Sequence, residues 1–508
     1  MKRASTLLVV LIVAVLPCGC GGDDGPAPSA DRTSRVSVGE GDGVTIPERF
    51  LSVAVDTAQV VGGLFWNPDG SSGTVGDFPV PPYDFARPRL RALAKALAPA
   101  LLRVGGTDAD HTYYDLDGTT GGKAPAGFEW VLTKAQWDGV ADFARALDYR
   151  ILFTLNAGKG PRDQSDVWQG DNARSLVEYS VANNVPVDVW ELGNEVNGYS
   201  VLLGFFLQPQ QYGADLAAAR ALIDAAAPGA KLAAPAIAYW PKAGEFNNYF
   251  GQLMAVGPHP VDIVTWHYYP QQSRRCPLAT RRARAEVMLD PQNLDEASRW
   301  AAEVEAHTKK GAPGAAVWLG ESGNAQCGGE PGVSDAFAGS FWWIDQLGVL
   351  AARGQGAVVR QTLSGSDYGL IDDQTLEPRP DYWASLLWRR LVGTRVLSAK
   401  SDDTKLRAYA HCRRQGDGVT VVLLNVDTAK SVRVDLDGAL GDTLVRYTLT
   451  AASLDAKVVA LEGVELKLAS DDTLPALDGV EQRGTNLVMP AASIAFVELP
   501  QAGVAACK

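Results

Sequence analysis

The sequence predicts a (β/α)8 barrel followed by a smaller antiparallel β-sandwich, and three observations carry that prediction. From Phe50 onward, eight nearly continuous apolar runs alternate with segments of helical period, the pattern of a parallel sheet covered by helices. Polar residues collect at the C-terminal ends of the runs, where such barrels keep their chemistry. After about Val392 the period changes to short alternating or β-branched segments broken by Gly, Asp and Asn.

In chain order, Met1-Lys2-Arg3 precedes an apolar stretch from Leu7 to Leu16 and then Pro17-Cys18-Gly19-Cys20. That is an export signal, too short to span a bilayer. Gly19-Cys20 is similar to the cleavage point of bacterial lipoprotein signals, so the protein is expected to be exported, either tethered to the cell envelope through lipid on Cys20 or secreted. Residues 21–35 are too polar to fold and are expected to form a tether.

The barrel is expected over residues 48–392, with strands at Phe50–Asp56, Leu101–Gly106, Arg150–Asn156, Val187–Glu195, Lys231–Ile237, Asp262–Pro270, Ala316–Ser322 and Ala357–Thr362. Helical patterns lie between them at Arg89–Ala100, Lys134–Leu147, Asn172–Ala182, Gln210–Ala227, Glu245–Val256, Asp295–Lys309 and Val333–Arg353, with a last one at Arg379–Leu391. Residues 393–508 form the sandwich, to which Arg35–Ile46 can add an edge strand.

The formal charge of −13 on 508 residues argues against nucleic acid or an anionic membrane as a partner. The five histidines and the cysteine spacings suggest no metal, no cofactor is implied, and a monomer is expected. Four cysteines remain beyond the signal, and three pairings are possible. Cys276 and Cys327 follow the sixth and seventh predicted strands, while Cys412 and Cys507 share the sandwich, so the expected disulfides are Cys276–Cys327 and Cys412–Cys507.

The chemistry is legible at two strand ends. Val187-Asp188-Val189-Trp190-Glu191-Leu192-Gly193-Asn194-Glu195 reads as a buried strand ending in an adjacent amide and carboxylate. Cleaving a glycosidic bond needs an acid to protonate the departing oxygen, and a neighbouring amide can hold the sugar's 2-hydroxyl. Glu195 is the candidate acid/base, Asn194 its partner, and Glu321, at the end of Ala316–Ser322, the candidate nucleophile. Strict alternation would put Asn194 and Glu195 on opposite faces, so the strand has to bend or stop there. Other strand ends supply Asp56, Thr107, Asn156, His267-Tyr268-Tyr269 and Gln361. Trp190, Trp266 and Trp318 read as barrel packing, His267 as an orienting residue, and Glu191 as an internal hydrogen-bonded carboxylate.

Taken in order, Phe50-Leu51-Ser52-Val53-Ala54-Val55-Asp56, Leu102-Arg103-Val104-Gly105-Gly106-Thr107, Trp190-Glu191-Leu192-Gly193-Asn194-Glu195, Thr265-Trp266-His267-Tyr268-Tyr269, Val317-Trp318-Leu319-Gly320-Glu321-Ser322, Val359-Arg360-Gln361 and Pro380-Asp381-Tyr382-Trp383 resemble glycoside hydrolase family 79, in its heparanase-like branch. The resemblance implies retaining hydrolysis of β-linked glucuronic acid within heparan sulfate-like polysaccharides. It also implies that Glu195 is the acid/base and Glu321 the nucleophile. Asn194, Asp56 and Thr107 would surround the sugar, and Tyr269 would touch the nucleophile. Gln361 and Tyr368 would lie near the sugar carboxylate, with the backbone around Gly328. The loop after Glu321 departs from the family's glycine-rich pattern, with Cys327 at a glycine position, and no basic residues follow Glu195 closely. An exo-acting β-glucuronidase that trims terminal glucuronate is the alternative within the class, and a lipid-anchored glycan-binding protein without activity the alternative outside it.

Arg274, Arg275, Arg281, Arg282 and Arg284 follow the sixth strand with no acid among them. Their position beside the cleft predicts polyanion binding, chiefly by Arg274 and Arg275.

Overall fold

The eight apolar runs are eight parallel strands that close on themselves: Leu51–Asp56, Ala100–Gly105, Tyr149–Leu155, Val187–Leu192, Lys231–Trp240, Ile263–Tyr268, Ala316–Ser322 and Val358–Arg360. Each pairs with the next, and the last pairs with the first through Val358 beside Leu51. This computed structural model describes residues 30–66 and 78–508. The expected signal (residues 1–20), the lipid site at Cys20 and most of the tether lie outside the described residues.

Strands such as Leu51–Asp56 and Ile263–Tyr268 are buried at every position, because one face meets the barrel interior and the other the helices. That is why they read as continuous apolar runs. Helix boundaries follow local chemistry. Lys134–Leu147 starts on a capping box in which Thr133 and Gln136 satisfy each other's backbone N–H, and stops at Asp148 in the left-handed region. Pro291–Gly311 begins earlier than its apolar period indicated, since Asp290 caps it and Pro291 occupies the first turn. Pro88–Ala96 ends short of the expected Ala100, which is already in the second strand.

Helix Phe337–Ala352 is buried on nearly every side, as expected of a helix apolar all round. It lies between barrel and sandwich. Its Asp345 accepts hydrogen bonds from Arg407 Nε (2.8 Å) and the Tyr409 hydroxyl (2.5 Å) of the sandwich. Gly348 is required where the Tyr409 ring crosses the helix, since a Cβ there would come within 2.3 Å of the ring. One apolar cluster runs from the barrel into Val422, Leu424 and Phe496, so the two domains share a core.

In the sandwich, Val419–Asn425 is fully buried because alternate residues serve two cores. Val422 and Leu424 belong to the core shared with the barrel, while Val421 and Leu423 belong to a second core with Val36, Val432 and Leu487 from other strands of the same 11-stranded sheet. The expected edge strand is corrected in two respects. It spans Arg32–Gly39, and it is interior, parallel to Val432–Asp437 on one side and antiparallel to Val392–Ser401 on the other. Its buried Val36 and Val38 belong to that second core, which an edge position would waste. The expected tether therefore ends before Arg32. Among the described residues no helix is long and apolar enough to cross a membrane.

Both disulfides are present as expected, Cys276–Cys327 with Cα atoms 5.5 Å apart and Cys412–Cys507 with Cα atoms 5.2 Å apart. The second bridges a sequence separation of 95 residues and pins the C-terminus to the sandwich. Replacing Cys412 and Cys507 by serine is expected to cost about 2–4 kcal/mol, mainly by freeing the unfolded chain. The denaturant midpoint measures it, and an unchanged midpoint would contradict the closure argument.

Candidate active site

The fourth strand ends at Leu192, where Gly193 takes a φ of +75° and Glu195 follows in the left-handed region at φ 51°. A side chain on Gly193 would meet the Tyr199 hydroxyl at 2.6 Å, so glycine is needed both for its backbone and for its size. This kink answers the alternation problem: Asn194 and Glu195 both reach the mouth of the barrel. Asn194 is buried, whereas Glu195 keeps partial exposure. The Asn194 backbone N–H donates to Asp110 (2.9 Å), and the Glu195 N–H to the carbonyl of Ala236 (3.0 Å).

Glu321 stands across the mouth on the seventh strand. Its Oε1 accepts from the Tyr269 hydroxyl at 2.6 Å and its Oε2 from Arg103 at 2.7 Å. His267 lies between the two glutamates, its Nδ1 3.1 Å from Glu195 and 3.8 Å from Glu321. These three side chains converge with their nearest polar atoms within 4.8 Å of one another. They form a grouping that could hold a metal ion. The Arg103 guanidinium already supplies the positive charge beside Glu321, so a second cation would be repelled there.

Arg103 organises the floor. Completely buried, it donates to Glu191 through Nε (3.1 Å) and Nη2 (3.0 Å), to Asn194 Oδ1 (2.8 Å) and to Glu321. The Thr154 hydroxyl gives Glu191 a further bond at 2.7 Å. Asn194 Oδ1 also accepts from the Gly106 N–H at 3.2 Å, which leaves the amide NH2 to donate into the cleft.

Burial alone would push the Glu321 carboxyl up, but the charges of His267 and Arg103 and the bonds from Tyr269 and Arg103 outweigh it, holding the group below its usual range. It is thus an anion at neutral pH. Asp56 behaves in the opposite way. Burial first, then the neighbouring charges of Glu321 and Asp108, push its carboxyl up to about 8, although Ala58 N–H (3.0 Å) and Gln361 Nε2 (2.9 Å) donate to it. Burial likewise raises Asp110 to about 6.

The cavity over these groups has a volume of about 300 Å3 and is lined by Asp56, Thr107, Asn194, Glu195, Tyr269, Glu321 and Gln361, all named from the sequence. Gly328 and Tyr368 do not line it. Gly328, at φ +81°, is covered by Trp66, and Tyr368 packs behind the wall against Phe65 and Tyr269. Cys327 adopts φ 62°, the conformation a glycine would favour, and is held there by its disulfide. Asn156 turns away from the cavity to staple a turn, bonding Thr112 O and Gly158 N–H. Trp190, Trp266 and Glu191 are internal, as expected, and the tryptophans that line the cavity are Trp66 and Trp240 instead.

The expected polyanion site is corrected at Arg275, while Arg274 keeps 66% exposure. Arg275 is buried and pairs with Asp367 and the Gly329 carbonyl, and Arg274 pairs with Glu330. Arg281 is locked to Glu296, and Arg282 donates to the carbonyls of Ser273 and Cys276. The acids that neutralise the run lie elsewhere in sequence, so a window without acids misrepresents its surroundings. Arg103 was missed as a site residue for the converse reason, although a lone cation in the apolar run Leu101–Val104 signals a buried partner.

Two glutamates facing each other at the C-terminal mouth of a (β/α)8 barrel, each offering an oxygen within 4.8 Å of the other's, are the arrangement of a retaining glycoside hydrolase, in which one carboxylate attacks the sugar directly. Residues 80–348 match the glycosyl hydrolase family 79 N-terminal domain. The chain is similar to heparanase of Mus musculus, 31% identical with 91% of this chain and 92% of that protein covered. It is also similar to heparanase-like protein 1 of Arabidopsis thaliana, 30% identical with 84% and 86% covered. Among solved structures, the fold resembles a 4-O-α-L-rhamnosyl-β-D-glucuronidase from Fusarium oxysporum 12S, with TM-score 0.63, 16% identity, and 92% of this chain and 100% of that one covered. The chain belongs to glycoside hydrolase family 79.

Two outcomes test this site. Arg103→Met leaves Glu191 buried without its cation and is expected to destabilise the fold by about 3–5 kcal/mol in chemical denaturation. For Asp56, the folded carboxyl keeps its proton to about 8 against an ordinary value of 3.8. Its stabilising contribution is therefore complete below the lower value and is lost as pH rises through the upper one. Asp56→Asn should flatten the fall in Tm across that window, and an identical slope in both proteins would count against the shift.

Proposed function

We propose that the chain is a heparanase-type endo-β-glucuronidase that cleaves β-linked glucuronate within glycosaminoglycans and retains configuration. The observation that carries this reading is the Glu195–Glu321 pair, with Glu321 held as an anion by Arg103 and Tyr269. The names of the relatives at about 30% identity supply the substrate class.

In the first step the Glu321 carboxylate attacks the anomeric carbon while the protonated Glu195 gives its hydrogen to the glycosidic oxygen, and the carbon–oxygen bond breaks. In the second, Glu195 as carboxylate takes a proton from water. The water oxygen displaces Glu321 from the same face the leaving group left, so the β configuration returns. The Asn194 NH2 is placed to hold the 2-hydroxyl. Asp56, Thr107 and Gln361 line the opposite side, where the sugar's remaining hydroxyls and carboxylate would sit. Gly328 and Tyr368 shape that pocket from behind.

Endo action is favoured by a second groove that continues past Trp66, along Gln59, Phe65, Tyr83, Arg87 and Asp367, on the side of the first and last strands. An enzyme that only trims chain ends has no use for it. The two disulfides suit an oxidising compartment, in keeping with export by the apolar N-terminal segment and a tether at Cys20.

Proton NMR on an aryl β-glucuronide is expected to show β product first, and initial α product would reject the mechanism. Glu195→Ala should still form the glycosyl-enzyme on a substrate with a good leaving group and then stall, whereas Glu321→Ala should lose at least about 10³-fold on every substrate. Mass spectrometry of the trapped enzyme separates the two roles. Digestion of a long polymer should give mid-sized fragments early, and release of single glucuronate alone would favour the exo reading.

A further inference from the structure

The cavity divides along the barrel. Asp56, Trp66, Thr107 and Gln361, from the ends of the first, second and eighth strands, lie on one side of the carboxylate pair. Val201, Leu202, Ala238 and Trp240, which follow the fourth strand or end the fifth, and Pro277 and Leu278, from the loop after the sixth, lie on the other. Glu195 belongs to this second side, and a proton donor stands next to the oxygen that departs. The second side therefore receives the leaving group.

Its chemistry is unusual for a cleft that meets charged polymers. Among the described residues lining the cavity there is no lysine or arginine, and the acidic ones are Asp56, Glu195 and Glu321, of which Asp56 keeps its proton to about 8. Val201 and Leu278 stand at the rim with relative exposures of 72% and 75%, apolar side chains left in water for want of a cover. Of the arginines of the same loop, Arg275 and Arg281 are turned into ion pairs, Arg274 pairs with Glu330 while keeping 66% exposure, Arg282 bonds backbone carbonyls, and none of them, nor the exposed Arg284, lines the cavity. Polar contact comes from neutral amides. Gln326 spends its Oε1 on Gln272 Nε2 (2.9 Å), so its NH2 remains to donate, which suits a carbonyl rather than a sulfate's charge.

We infer that this leaving-group side is an apolar subsite, built from Val201, Leu202, Trp240, Pro277 and Leu278 with Gln326 as donor, that selects an uncharged N-acetylated hexosamine over a sulfated one. The acetyl methyl and the C–H face of the ring cover the apolar rim, and the acetamido carbonyl meets the Gln326 amide. A sulfate placed there would lose its hydration beside hydrocarbon and face Glu195 with no cation to pair it. The inference rests on the endo-β-glucuronidase reading and narrows it to unsulfated stretches of the chain.

The test compares kcat/KM of the full chain on two polymers of matched length. One alternates glucuronate and N-acetylglucosamine without sulfate, and the other is its N- and O-sulfated derivative. An aryl β-glucuronide serves as the control for competence. The unsulfated polymer is expected to be cut at least about tenfold better, and Leu278→Arg and Val201→Arg, both at exposed positions, should narrow that ratio about fivefold. Equal or faster cleavage of the sulfated polymer overturns the inference. So does a ratio that neither arginine variant moves while both remain folded by circular dichroism. Cleavage of the aryl glucuronide with neither polymer cut also overturns it, because the occupant is then not a hexosamine. Failure on all three substrates rejects the proposed function itself.

Discussion

Arg103 holds a positive charge at the centre of the barrel with no exposure to solvent, and the active site is arranged around satisfying it. Three carboxylate or amide acceptors, on Glu191, Asn194 and Glu321, come from two further strands, so the guanidinium joins the second, fourth and seventh strands through one group. An ion in that position is tolerable only when every donor is used, and the planar fork of arginine can reach several acceptors where a lysine would reach fewer. The same contacts that make the charge tolerable orient Asn194 and keep Glu321 ionised. Stability and catalytic posture therefore depend on one side chain.

Backbone geometry supplies the second constraint. The fourth strand has to stop for Asn194 and Glu195 to face the same cleft, and it does so through positive φ values at Gly193 and, two residues further, Glu195. A non-glycine residue in the left-handed region is uncommon and costs roughly 1–2 kcal/mol, a strain often found where a reactive side chain is held in place. Asp110 steadies the kink by accepting from the N–H groups of Asn194 and Ala157. Cys327 shows the same feature on the opposite wall, where a disulfide to Cys276 ties together the loops after the sixth and seventh strands.

Charge is distributed by pairing more than by region. The protein is acidic overall, and of the five arginines in the loop beside the cleft three are paired, because Glu330, Asp367 and Glu296 come in from other elements to meet Arg274, Arg275 and Arg281. These pairs brace the loop that carries Cys276, Pro277 and Leu278. The wall they support is left neutral and apolar, and that bears more directly on what the cleft can accept than the count of basic residues nearby.

The architecture and the candidate carboxylate pair were legible in the sequence. Eight apolar runs and the helical periods between them are local consequences of burial, so strand and helix could be placed within a few residues. The glutamates at Glu195 and Glu321 follow from where those runs end, and the disulfides from which loops the runs bring together. The expectations at Asn194, Asp56, Thr107, Tyr269 and Gln361 place residues that all line the cavity. What depends on partners distant in the chain became visible in three dimensions, where the folded chain settled it. Folding set Arg103 against Glu191, Glu321 and Asn194, inserted Arg32–Gly39 inside a sheet instead of at its edge, drew Gly328 and Tyr368 behind Trp66 and Tyr269, and buried Arg275 against Asp367. A charge's environment is fixed by groups within a few ångströms in space, and sequence windows see only neighbours along the chain.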